Sequence, residues 1–93
     1  MSYELAYERR ALELLADDRF SDVLDCIEGF LLRLAADPVG RSAPSDSSTA
    51  PTGQMFRFHC ESQEAKFQFT VYFFYRQDEQ TLQIEDIIPA RTR

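Results

Sequence analysis

The stretch QMFRFHCESQEAKFQFTVYFFY, residues 54–75, decides the fold of this chain. Apolar and other side chains alternate through residues 54–60 and again through 66–75, and alternate residues of a strand point to opposite faces. The polar segment 61–65 between them predicts a hairpin connection. One face of the predicted sheet is therefore apolar and needs a cover of helices. Its predicted members are Phe56, Phe58, Cys60, Phe67, Phe69, Val71, Phe73 and Tyr75.

Working outward, residues 81–88 predict a last strand, ended by Pro89, and residues 2–7 a short first strand. A short helix is predicted over residues 8–16 and a longer amphipathic helix over 20–36, because apolar residues recur there at three- and four-residue spacing. The longer helix is expected to lay one apolar stripe on the sheet. That stripe contains Phe20, Val23, Ile27, Phe30, Leu31 and Leu34.

Residues 39–53, VGRSAPSDSSTAPTG, contain no apolar period and predict a flexible loop. The expected fold class is α+β, with element order β-α-α-β-β-β. Two N-terminal helices are expected to pack on one face of an antiparallel sheet of three or four strands, in a single domain over residues 1–93.

Composition narrows the class of protein. Apolar residues make up 44% of the chain, enough for a packed core. Residues 1–10 are polar, and no apolar run approaches a membrane span, so neither export nor a membrane partner is expected. Because Cys26 and Cys60 both lie in apolar-patterned segments and no export signal is seen, buried free thiols in a cytoplasmic protein are the expectation.

The net charge of −6 disfavours nucleic-acid binding, which depends on Lys and Arg side chains that neutralise phosphates. The acidic surplus lies in the helical half: residues 1–52 carry ten Asp and Glu against five Lys and Arg. Such a surplus is typical of a solvated helix surface.

The face of the sheet away from the helices is where the chemistry is expected. It is predicted to carry Arg57, His59 and Glu85. His59 is the only histidine, and imidazole can transfer protons near neutral pH. Arg57 could stabilise charge that develops on a phosphoryl group, and Glu85 could orient His59 or serve as the base. The alternative is that this face is merely solvated.

No metal or cofactor is expected. One histidine and two separated cysteines lack zinc-ligand spacing, and the three glycines form no phosphate-binding loop.

The order of these elements resembles the RelE/ParE toxin superfamily of bacterial toxin–antitoxin modules. SYELAYERRALELL resembles the family's first strand and short helix, and FSDVLDCIEGFLLRLAADPVGRS its longer helix. MFRFHC resembles the basic second strand, and FTVYFFYRQDEQTLQIEDI the hairpin that leads into the last strand.

The resemblance implies a toxin silenced by a cognate antitoxin. RelE-like members cut ribosome-bound mRNA and ParE-like members poison gyrase. Carried over by position, Arg57 and His59 match the two basic places of the second strand, and Arg91 the basic place after the last strand. The third-strand arginine has no match, because Gln68 and Phe69 stand there.

Three alternatives remain at this point. The first is an mRNA endonuclease in which Arg57 and Arg91 hold the scissile phosphate, His59 moves a proton, and all share one concave surface. The second is a ParE-like, gyrase-targeting toxin, which requires no phosphate chemistry. The third is a non-catalytic protein-interaction module on the same fold. Self-association into a homodimer is left open.

Overall fold

The computed structural model describes residues 3–38, 43–44, 53–76 and 79–92. Within these ranges, two α-helices, one 3₁₀ helix and a sheet of five strands make up an α+β fold. In chain order the elements are β1 Glu4–Tyr7, α1 Arg9–Leu15, a 3₁₀ helix Asp18–Val23, α2 Leu24–Ala36, β2 Ala43–Pro44, β3 Gln54–Glu61, β4 Lys66–Arg76 and β5 Thr81–Thr92.

The sheet has the strand order β1-β5-β4-β3-β2 and is mixed, so the prediction of a purely antiparallel sheet of three or four strands is wrong. β3, β4 and β5 form the predicted antiparallel meander. β1 lies beside β5 and runs parallel to it, from Glu4 opposite Thr81 to Tyr7 opposite Ile84. The helices and the rest of the sheet separate these two strands along the chain. No tight turn therefore constrains them to be antiparallel.

The predicted helix over 20–36 is divided. Its first part is the 3₁₀ helix, and the α-helix begins only at Leu24. Asp17 caps the 3₁₀ helix by accepting a hydrogen bond of 2.9 Å from the backbone N–H of Arg19. The Ser21 hydroxyl donates to the carbonyl of Asp18 at 3.0 Å. Such local polar bonds compete with α-helical ones, which accounts for the tighter turn.

Two strand predictions also change. β5 does not end at Pro89 but continues to Thr92, with Pro89 opposite Phe69 on β4. β1 covers only the first residues of β5, so among the described residues the rest of β5 pairs with β4 alone, and proline is tolerated where no ladder bond is needed. In the predicted loop, Ala43 and Pro44 form β2 against β3. The other loop residues, 39–42 and 45–52, lie outside the described residues. Most of the segment that was predicted to be a flexible loop is therefore not described.

The core lies between the helices and the sheet, as predicted from the matched apolar faces. Phe69, Phe73, Ile27, Leu31 and Leu34 are fully buried. Aromatic rings connect the layers. The ring of Phe30 on α2 stacks on Phe58 at 4.7 Å between centroids, and the ring of Phe20 meets Phe69 edge-on at 5.6 Å.

Cys26 and Cys60 form a disulfide between α2 and β3, so the expectation of free thiols is wrong. Their Cα atoms lie 6.0 Å apart, within the range that a disulfide requires. The sequence separation of 34 residues offered no sign of this proximity. The packing of α2 across β3 brings the two residues together.

Candidate functional site

The sheet has two unlike faces. The covered face packs against α2 and the 3₁₀ helix through its aromatic residues. The open face is defined by the alternate residues Met55, Arg57, His59, Glu61, Lys66, Gln68, Thr70, Tyr72, Phe74, Gln83, Asp86, Ile88, Ala90 and Thr92. Neither the core cluster of the described residues nor the half-buried side chains packed on it include any of these. The open face is therefore a surface on which this part of the chain can present chemistry.

Arg57 and His59 lie together on the open face, as predicted. Both are exposed and two residues apart on β3, which spaces their Cα atoms by roughly 7 Å. The Arg57 Nε donates a hydrogen bond of 3.4 Å to the Thr70 hydroxyl on β4. His59 lies opposite Gln68 and lines a shallow cleft of about 380 Å³ with Glu61, Lys66 and other neighbours.

Arg91 lies on the other face of the sheet. It is directly opposite Phe67, and opposed residues in an antiparallel pair share a face. Phe67 packs on the core, so Arg91 projects on the covered side. The predicted concave surface shared by Arg57, His59 and Arg91 is therefore not formed. The error follows from ending the last strand at residue 88, because the strand continues and its alternation determines the direction of Arg91.

A second cleft of about 420 Å³ surrounds Arg91 at the end of the sheet. Its lining includes Arg19, Phe20, Phe67 and Pro89, with Asp22 and Glu64 among the acidic members. The Arg19 guanidinium is held by Asp17 through an ion pair of 2.8 Å. The side-chain hydrogen bond from Arg19 lowers the pKa of Asp17, and the same bond raises the pKa of Arg19.

Sequence reasoning missed Arg19 as a neighbour of Arg91. The only local signal was the Asp-x-Arg spacing that ties Arg19 to Asp17. That spacing gives no information about β5, the strand that carries Arg91.

Glu85 occupies an irregularity in β5. Its neighbour Ile84 pairs with Phe73, whereas Asp86 pairs with Tyr72, so Glu85 is the extra residue of a β-bulge. His59 is level with Ala90 across two strand spacings. Glu85 is therefore roughly 15 Å further along β5 and about 10 Å across the sheet from His59. A glutamate side chain does not span that distance, so Glu85 does not orient His59 in this structure.

The polar neighbours of the bulge on β5 contact residues at the start of α1. The Gln83 side-chain amide donates to the Glu8 carboxylate at 3.0 Å. The Arg10 guanidinium lies 4.0 Å from the carboxylate of Asp86. These contacts hold the bulged part of β5 against the residues at the start of α1.

Burial affects one further titratable group. The pKa of Tyr7, on β1, is raised, first by desolvation and then by the nearby carboxylate of Glu28. Its position near α2 places it away from Arg57 and His59.

In the ranges that the structure describes, no three His, Cys, Asp or Glu side chains cluster closely enough to hold a metal ion. None of the described helices is long and apolar enough to cross a membrane. Comparison of the chain with known protein families, with curated proteins and with solved structures finds no match in any of the three.

Proposed function

We propose that this protein is a RelE/ParE-like toxin component that acts by binding a protein target, such as gyrase, and that a cognate antitoxin silences it. The order of elements agrees with the resemblance in part, since a first strand, two helices and a three-stranded meander follow each other, with a 3₁₀ helix and the short β2 between them. Binding, unlike phosphate chemistry, does not require the basic residues to converge.

One observation carries this choice over mRNA cleavage. The sheet separates the residues that would have to act together: Arg57 and His59 lie on the open face and Arg91 on the covered face. Phosphoryl transfer needs the proton-transfer group and the charge-stabilising groups within about 3 Å of the reacting atoms. A net charge of −6 also opposes docking on the ribosome, whose RNA is polyanionic.

A ribosome-dependent mRNA endonuclease is the second candidate. It is favoured by the adjacency of Arg57 and His59 on one exposed surface, with Lys66 in the same cleft as His59. In that case the two residues alone would hold the phosphate and move the proton, with a reduced rate. Arg91 and Glu85 would have no part in it.

The site of action follows from the proposed target. Both gyrase and the ribosome are cytoplasmic, so we propose a cytoplasmic location. Cytoplasmic reductants keep most cysteines as thiols. The disulfide between Cys26 and Cys60 therefore counts against this location, and thiol alkylation of freshly lysed cells followed by mass spectrometry measures whether the bond is present there.

Induction of the chain in bacteria tests the toxin proposal. We expect wild type to arrest growth while translated mRNA stays intact in a translating extract. The double variant Arg57→Ala/His59→Ala tests the endonuclease. The double variant Arg9→Ala/Gln63→Ala is the matched control, because these two residues are exposed but do not belong to the open face.

Each outcome is decisive for one candidate function. mRNA cleavage by wild type and by the control, but not by the double variant, would establish the endonuclease. Normal growth in cells that accumulate the folded protein would overturn the toxin proposal and leave a non-catalytic interaction module.

A further inference from the structure

The cleft of about 420 Å³ around Arg91 has an aromatic floor, which is made of Phe20 and Phe67. The two rings meet edge-on, with 5.3 Å between their centroids. Phe20 is buried, whereas Phe67 is only half-buried, so part of its surface is open to a ligand. Small-ligand sites are typically concave, of similar volume and lined mainly by apolar and aromatic side chains. The cleft therefore has the size and the apolar surface that a small molecule requires.

Charged side chains surround the aromatic floor. Arg91, Asp22 and Glu64 all line the cleft, and none of them forms an ion pair with another residue that the structure describes. Asp22 and Glu64 also line a neighbouring depression, whose described lining does not include Arg91. The two carboxylates therefore make one acidic side of the cleft, and Arg91 makes a basic side.

Arg19, the other arginine of the cleft, is already neutralised. Its Nε and Nη2 atoms both donate to the Asp17 carboxylate, at 3.1 and 2.8 Å. Its guanidinium lies 5.2 Å from the centroid of the Phe20 ring. Arg19 therefore extends the wall beside the aromatic floor, and Arg91 is the group that attracts an anion.

The hairpin between β3 and β4 holds the acidic side in place. The Ser62 hydroxyl accepts hydrogen bonds from the backbone N–H groups of Glu64 and Ala65, at 3.3 and 3.2 Å. The backbone N–H of Ser62 donates to the carbonyl of Ala65 at 2.8 Å. These bonds fix the backbone that carries Glu64, and a group that is fixed in advance loses less freedom when a ligand binds.

We propose that this cleft binds a free amino acid with a large apolar side chain, such as phenylalanine or leucine. The carboxylate of the ligand pairs with the Arg91 guanidinium. Its ammonium group faces Asp22 and Glu64, and its side chain lies on the aromatic floor. This inference goes beyond the proposed function and does not depend on it.

The arrangement of charges selects this class of ligand. A guanidinium pairs well with a carboxylate, because its parallel N–H groups match the two oxygens. The acidic side attracts an ammonium group that is adjacent to that carboxylate. A phosphate ester, in contrast, would be repelled by both Asp22 and Glu64. The end of a peptide chain carries only one of the two charges, so a free amino acid is the smallest molecule that matches all three surfaces.

Three ligands of nearly the same shape test the charges separately. Phenylalanine carries both charged groups, hydrocinnamate lacks the ammonium group, and phenethylamine lacks the carboxylate. We expect phenylalanine to bind with a dissociation constant in the millimolar range, because a ligand of this size makes few contacts. Each of the other two should bind about threefold more weakly or worse, because each loses an ion pair. Amide chemical shifts of the isotope-labelled full chain measure all three affinities, and the shifts should centre on Ser62, Ala65 and Phe67.

Charge substitutions in the cleft should change the order of the ligands. Arg91→Glu removes the partner of the carboxylate and adds a third acid. It should abolish binding of phenylalanine and hydrocinnamate and strengthen binding of phenethylamine by about threefold. Asp22→Asn/Glu64→Gln removes the partners of the ammonium group. It should weaken phenylalanine and strengthen hydrocinnamate, each by about threefold.

Matched controls make the same changes of charge outside the cleft. Arg9→Glu reverses an exposed arginine on α1, and Glu4→Gln/Glu13→Gln neutralises two exposed acids. Both controls should bind the three ligands as wild type does. The substituted residues of the cleft are themselves exposed, and circular dichroism with thermal melting confirms that each variant is folded.

The proposal is overturned if phenylalanine causes no saturable shifts at the cleft up to about 50 mM, well above the expected dissociation constant. It also fails if hydrocinnamate or phenethylamine binds as tightly as phenylalanine, because one of the two charged sides would then have no part in binding. Folded variants of the cleft that keep the wild-type order of the three ligands would overturn it as well.

Discussion

The two faces of the sheet are built from the same strands but differ in how deeply their side chains are buried. On the covered face, Phe69 and Phe73 are completely buried under α2 and the 3₁₀ helix. On the open face, Tyr72 and Phe74 are only half-buried, and Arg57 and His59 are exposed. Most of the stabilising burial of apolar side chains therefore occurs on the covered face. The other face can change its chemistry at small cost to the fold.

Two adjacent phenylalanines give the strongest test of that contrast. Phe73→Ala empties a fully buried site and should reduce the free energy of unfolding by about 3–5 kcal/mol. Phe74→Ala, one residue along β4 on the open face, should cost about 1 kcal/mol. Equilibrium denaturation with urea measures both. Equal losses would mean that the two faces are equally packed.

The disulfide between α2 and β3 is the next largest contribution to the covered face. It closes a loop of 34 residues, and loss of a cross-link of that length should cost about 4 kcal/mol. The Cys26→Ser/Cys60→Ser variant should unfold at correspondingly lower urea concentration. A reducing agent should destabilise wild type and leave the variant unchanged. If wild type does not respond to reduction, then the bond makes no contribution to stability.

Gly29 lies on a side of α2 that does not pack against the rest of the protein. An added Cβ at this position meets nothing within 4 Å. Gly29→Ala should therefore stabilise the protein by about 0.5–1 kcal/mol, because alanine loses less backbone freedom in a helix. Thermal melting detects the gain, and Ala36→Gly at the exposed helix end provides the reverse substitution. A loss of stability in Gly29→Ala would reveal a neighbour on that side of α2.

The smallest effect is expected on the open face itself. Arg57→Ala and His59→Ala should each change the free energy of unfolding by less than about 0.5 kcal/mol, since both side chains are exposed. The same urea titrations check this. A loss above about 1 kcal/mol from either substitution would give that residue a structural role and weaken its interpretation as part of a functional surface.

Local patterns predicted the parts of the fold that depend on neighbours in sequence. The alternation through residues 54–60 and 66–75 identified β3 and β4 and the face that each residue occupies. The spacing of Ile27, Leu31 and Leu34 identified the buried side of α2. Arg57 and His59 were correctly placed together for the same reason, because residues two apart on one strand share a face.

The remaining features depend on partners far away in sequence. Proline is a strand breaker by propensity, yet Pro89 lies within β5, at a position where only β4 pairs with that strand in the part of the chain that the structure describes. Because β5 continues past Pro89, its pairing with β4 places Arg91 on the covered face. The same register leaves Glu85 as the extra residue of a bulge. No local pattern contains that register.

The sequence by itself determined the two helices, the antiparallel meander and the face on which each described residue of β3 and β4 lies, because periodic burial is a property of neighbouring residues. Only the tertiary structure decided that β1 joins β5 in parallel, that Cys26 meets Cys60, and that Arg91 is separated from His59. Each of these depends on how distant segments dock. Docking is selected by the packing energy of the whole core rather than by the residues in any one segment.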